Sequence, residues 1–191
     1  MPKRTLLAAA AVLATPLPAF AHINPAEHGS FLAGVSHPIT GLDHIVVMLL
    51  VGVWAATFTG AARFAIPGAF VAMMLVGFGL AMAGVTLPLV EPAILASVIA
   101  IGLVVALAVR VPSAAATAIV GGFAVFHGHA HGLELGAATA LSYAFGFAVA
   151  TAALHGAGFW LGSAAVRRAQ PIAIRAAGVV GAAAGLLLFA A

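Results

Sequence analysis

The sequence predicts an all-α membrane protein, a six-transmembrane-helix bundle that follows a cleavable signal peptide. Three observations carry that expectation. Of 191 residues, 64% are apolar and only 6% charged, with a mean hydropathy of +1.23; an ordinary globular domain carries about 25% charged residues, so too little polar surface is present to cover a water-exposed fold. Six apolar stretches can be drawn, each long enough for a ~30 Å hydrocarbon core, which takes about 20 helical residues. The apolar runs are continuous and do not alternate, which argues against a membrane β-barrel.

The elements follow in order. Residues 1–21 read as a signal peptide, with Lys3 and Arg4 as the positive start, an apolar run from Leu6 to Leu13 that is too short to span, and Ala19-Phe20-Ala21 as a small-x-small cleavage site. Cleavage there makes His22 the new amino terminus and leaves 22–191 as one transmembrane domain. The expected spans are 39–60, 64–86, 92–110, 114–134, 137–160 and 172–190, joined by short connections. Gly158-Phe-Trp-Leu-Gly162 and Gly181-Ala-Ala-Ala-Gly185 are small-xxx-small patterns that let helix backbones approach closely. They serve either packing within one bundle or contact between copies, the first being favoured and a homo-oligomer left open.

Arginine placement orients the bundle. Without the leader, five arginines face four acids. Arg63, Arg110, Arg167, Arg168 and Arg175 fall between or beside alternate spans on one side, and the positive-inside rule makes that side cytoplasmic. The amino and carboxyl termini then lie outside, in agreement with export by a signal peptide. No basic patch remains to hold a nucleic acid.

The absence of Cys removes thiolate metal sites, Fe–S clusters, disulfides and Cys nucleophiles. What remains is histidine: eight His outnumber the four acids, and most of them lie in two short clusters and an amino-terminal stretch. The first cluster is His37-Pro38-Ile39-Thr40-Gly41-Leu42-Asp43-His44, at the outer entrance to span one. Pro38 suits a first helical turn, and on a helix starting there His37 and His44 share a face, with Asp43 alongside. The second is Phe126-His127-Gly128-His129-Ala130-His131-Gly132-Leu133-Glu134, near the outer end of span four. His127, His131 and Glu134 sit at i, i+4 and i+7 on one stripe, while His129 points away.

Two imidazoles with a carboxylate suit a borderline divalent cation such as Ni²⁺, Co²⁺ or Zn²⁺. A cap or a hydrogen-bonded helix end explains one such residue, not four ionisable groups in eight, and ionisable groups inside a membrane mark function. Glu91 lies in an outer loop, His155 falls mid-span in helix five as a later waypoint or a packing residue, and His22 with its terminal amine offers a weaker capture site. Motifs for ATP binding and metalloprotease chemistry are missing, as is a nucleophile elbow. An enzyme or a primary pump is therefore not expected.

At these residues the sequence resembles the HupE/UreJ family of nickel permeases. His-Pro-x-x-Gly-x-Asp-His stands at 37–44 and Phe-His-Gly-x-Ala-His-Gly-x-Glu at 126–134, in the family's order. The resemblance implies Ni²⁺ uptake across a bacterial inner membrane, with Co²⁺ as the alternative metal, to supply hydrogenase or urease. It assigns transport roles to His37, Asp43, His44, His127, His131 and Glu134, and also to Phe70 and Glu91. Nickel is then cargo, and no permanently bound cofactor is expected. Two other readings stay open: a bis-His haem or redox membrane protein, and a non-transporting metal-binding accessory protein.

Overall fold

The computed structural model describes residues 31–133 and 139–191. Seven helices follow one another: α1 (Phe31–Thr40), α2 (Leu42–Ala55), α3 (Ala62–Met82), α4 (Val90–Ala106), α5 (Ser113–Gly132), α6 (Ala140–Arg167) and α7 (Pro171–Ala190). No strand occurs among the described residues. The expected signal peptide, His22 and Glu134 lie outside them.

Helices α3, α6 and α7 are each long and apolar enough to cross a membrane, α1 and α2 qualify together as one broken crossing, and α4 is a shorter apolar helix of 17 residues. Helix α5 runs for 20 residues and gives its last turns to the histidines.

Two expected spans differ from the observed helices. The first was expected to run unbroken over 39–60, but the chain breaks at Gly41, and α1 meets α2 at 86°. Pro38 lies in the last turn of α1 and not in the first turn of the span. Its missing N–H removes a helical hydrogen bond, and the helix stops two residues later. Thr40 Oγ1 folds back to donate to the His37 carbonyl at 2.8 Å, and Gly41 takes an extended conformation (φ −93°, ψ 119°) as the residue before α2. His37 and His44 therefore do not share one helical face. The fifth span was expected to end at 160, but α6 continues to Arg167, because the one weak helix former in that stretch, Gly162, is held against the backbone of Val53 in α2.

Apolar side chains cannot drive helices together in lipid, so close backbone approach and polar contacts must do it. The main pairings are α3 with α5, α4 with α7, and α6 with both α1 and α2. Glycine permits the closest of these. A Cβ on Gly158 would run into the Leu49 carbonyl of α2, and one on Gly52 into the His155 carbonyl of α6. Gly128 lies equally close to the Met74 carbonyl of α3, which presses the histidine-bearing face of α5 into the bundle. Both small-xxx-small patterns pack on this chain's own helices: Gly158 and Gly162 on α2, Gly181 on Leu50, and Gly185 on Ile99.

The arginines collect at the α2–α3, α4–α5 and α6–α7 junctions. There the Arg175 Nε–H donates to the Ala106 carbonyl at 2.9 Å, which satisfies a carbonyl at the negative end of α4. The two histidine clusters belong to the opposite junctions. A leucine in place of Gly158 should force α2 from α6 and lower stability by about 1–3 kcal/mol or more. Gly156→Ala, where a Cβ meets nothing within 4 Å, should cost nothing; thermal unfolding of the two variants in detergent is the check.

Candidate metal site

The histidine clusters, which are far apart in sequence, meet in the middle of the bundle. His44, on the first turns of α2, lies with its Nε2 2.8 Å from His131 Nε2 on α5. The ring of His44 stands 4.8 Å from that of His131 and 4.9 Å from that of His127, so both i, i+4 residues of α5 face it. His37 reaches the same place from α1, with its ring 4.3 Å from that of His131. The 86° bend thus brings His37 and His44 to His131 from two directions. Phe147 of α6 closes one side at 4.7 Å from His131, and Phe70 of α3 lies beneath, 5.4 Å from His127.

Buried imidazoles must be partnered, and the partners fix where each proton sits. Asp43 Oδ1 accepts from the His44 backbone N–H at 2.8 Å and lies 2.9 Å from its Nδ1. A carboxylate only accepts, so His44 Nδ1 carries the proton and its Nε2 presents a lone pair. That lone pair faces His131 Nε2, which must therefore be the donor, leaving His131 Nδ1 unprotonated. On α4, the Ser97 hydroxyl donates to the Ile94 carbonyl at 2.6 Å. Its oxygen then accepts from His127 Nε2–H at 2.9 Å, so the His127 Nδ1 lone pair is also free. Neither His127 Nδ1 nor His131 Nδ1 has a hydrogen-bond partner. Three imidazoles, each under 7% exposed, thus hold acceptor lone pairs in place by a hydrogen bond from their other nitrogen. Metal-binding histidines are oriented in this way.

Gly41 makes the Asp43–His44 arrangement possible, since a Cβ there would stand 2.8 Å from Asp43 Oδ1 and 3.1 Å from His44 Nδ1. The carboxylate also sits in the first turn of α2, where the positive helix end favours it. Among the described residues no three His, Asp or Glu side chains form a ready-made metal cage. The arrangement is a hydrogen-bonded imidazole pair with further lone pairs beside it.

The remaining expected residues are placed separately. His129 points away from the cluster, and its Nε2–H donates to the Val85 carbonyl at 2.7 Å, in the turn where Gly84 takes a left-handed φ of 77°. Glu91 is exposed in the first turn of α4, and no described contact joins it to the imidazoles. His155 is buried on α6, with its ring 4.9 Å from that of Phe70. Sequence reasoning missed Ser97 and Phe147. Ser97 is the only hydroxyl residue of α4, a usable signal, whereas one more Phe among twelve gives none.

A family profile described as HupE / UreJ protein matches residues 10–188. The chain belongs to the HupE/UreJ family. Protein HupE of Rhizobium leguminosarum bv. viciae is 44% identical over 179 residues, 93% of each chain. No solved structure matches. In this HupE/UreJ chain both motifs seen in the sequence contribute side chains to one cluster. ¹⁵N-histidine NMR should find His44 in the Nδ1–H form and His127 and His129 in the Nε2–H form. Ser97→Ala should leave the His127 donor unpaired and cost about 1–3 kcal/mol, read from unfolding in detergent.

Proposed function

We propose that this chain is a permease that carries Ni²⁺, with Co²⁺ as the alternative cargo, into the cytoplasm across a bacterial inner membrane. The observation that carries the reading is the trio of buried lone pairs on His44, His127 and His131, with the Asp43 carboxylate behind His44. Imidazole nitrogen with a nearby carboxylate suits a borderline divalent ion. Two nitrogens at about 2.1 Å on adjacent corners of one ion are about 3.0 Å apart, close to the observed 2.8 Å between His44 Nε2 and His131 Nε2, so an ion joins them once His131 shifts its proton from Nε2 to the unpartnered Nδ1. That separation does not suit two imidazoles on opposite sides of a haem iron. The metal's identity rests on the family resemblance.

In this reading the bent α1–α2 pair is one crossing and the shorter α4 and the histidine-bearing α5 cross as well, which makes six spans, with the arginine-bearing junctions in the cytoplasm. His37, Asp43 and His44 then receive the ion near the outer face, together with His131 and, from outside the described residues, Glu134. Several moderate ligands replace part of the hydration shell and still let the ion leave. The inward field supplies about 4.6 kcal/mol for a divalent ion at 100 mV, roughly a thousandfold gradient, so neither ATP hydrolysis nor catalysis is required.

Accumulation of ⁶³Ni in cells tests the reading. His44→Ala should abolish uptake, and Asp43→Asn, which weakens the hold on His44, should lower it by about 10–100-fold. Wild-type rates in both variants at equal membrane insertion would overturn the site. Protons compete with metal for imidazole, so uptake should fall as the external pH drops from about 7 towards 5; a flat profile would count against imidazole capture.

A further inference from the structure

The outer cluster leaves open where the ion goes next. His155 is 3% exposed, and neither of its ring nitrogens has a hydrogen-bond partner. That sets it apart from His44, His127, His129 and His131, each of which has at least one nitrogen engaged. An imidazole carries one donor and one acceptor, and a fold that buries both without a protein partner holds a ligand group in reserve.

The same side chain lines a cleft of about 290 Å³ between α3 and α6, with Arg63 and Phe159 also on its walls. Gly68 of α3 and Gly156 of α6 line it too, and a Cβ on either would meet nothing within 4 Å. Unlike Gly128 and Gly158, these two glycines do not seat a neighbouring helix; they keep a space empty. Arg63 begins α3 at the arginine-rich end of the bundle, and Phe64 and Phe159 meet beside it at 5.9 Å. The cleft therefore reaches the arginine-rich end of the bundle. Phe70 is fully buried, and its ring touches both His127 and His155, at 5.4 and 4.9 Å.

We propose that His155 is an inner divalent-cation ligand at the floor of the α3–α6 cleft and that this cleft opens at the arginine-rich face. The proposal rests on the permease reading for its cargo, but not for its geometry. A single imidazole in an apolar cleft, with a guanidinium on the wall, holds a cation weakly. A release site needs that property, because an ion bound too well does not leave.

The chain has no cysteine, so a single introduced thiol reports access without background. His155→Cys and, across the cleft, Gly68→Cys are exposed to a membrane-impermeant cationic methanethiosulfonate from each side of the membrane. Gln170→Cys, in the exposed α6–α7 turn, marks the arginine-rich face. Both cleft thiols should react from the face that labels Gln170→Cys and not from the other, and Ni²⁺ should slow the reaction at position 155. A cleft filled by lipid would react from neither side, and that result overturns the proposal, as does reaction from the opposite face alone.

In parallel, His155→Gln and the cleft-filling Gly156→Leu should each lower ⁶³Ni uptake about tenfold or more, while detergent-purified protein still binds Ni²⁺ through the outer cluster. Wild-type uptake in both variants overturns the inner-ligand role. Should the unmodified chain move no nickel while the cleft thiols still label from the arginine-rich face, the cleft stands and the permease reading falls.

Discussion

One contact joins the two ends of the functional sequence: His44 Nε2 against His131 Nε2 at 2.8 Å, between residues 87 positions apart. Most of the surrounding structure serves to make that contact tolerable in an apolar interior. Hydrocarbon offers no hydrogen-bonding alternative, so every imidazole there must find a protein partner or leave a lone pair idle. Asp43 holds His44, Ser97 holds His127, and the loop carbonyl of Val85 holds His129. Each partner comes from a different part of the chain. The cluster is thus a polar knot that draws α2, α4 and α5 into a fixed relation, with the rings of Phe70 and Phe147 closing around it.

The backbone packing is arranged to the same end. Close glycine contacts place α5 on α3 at Gly128 and α6 on α2 at Gly158. The first turns the His127–His131 stripe inward; the second seats α6, with its buried Phe147 and His155, against α2. Such contacts gain dispersion energy over a long backbone interface without needing a hydrophobic driving force, which lipid does not provide. Gly41 has a different task, since it removes a side chain that would collide with the Asp43–His44 pair. Gly68 and Gly156 have a third, because their missing side chains leave a cleft. The same residue type thus brings backbones together, permits a tight local hydrogen bond, or keeps space open.

Much of the helical content was legible in the composition and the apolar runs, and five of the six expected spans correspond to single helices. The break at Gly41 was not legible. Pro38 fits a first helical turn as well as a last one, and local propensity does not say which. The end of α6 lies beyond the expected bound of 160, and Gly162, read in the sequence as a packing residue, does pack there against Val53 of α2. At the site, the i, i+4 spacing correctly placed His127 and His131 on one face and His129 off it. The spacing of His37 and His44 suggested a shared face for the wrong reason; they meet at His131 because the chain bends between them.

The sequence by itself determined the solvent, the helical class and the residues that could bind a cation, because these follow from composition and from the 3.6-residue period. Tertiary structure alone decided which of those residues meet. It joined two motifs separated by two helices, supplied Ser97 as the partner of His127, and sent Glu91 and His129 elsewhere. It also left His155 buried with both nitrogens free at the floor of a cleft that two glycines keep open. The physical reason is range: periodicity reports only what lies within a few turns of one helix, whereas a buried polar atom is satisfied or left idle by whichever distant backbone and side chain the packed bundle places beside it.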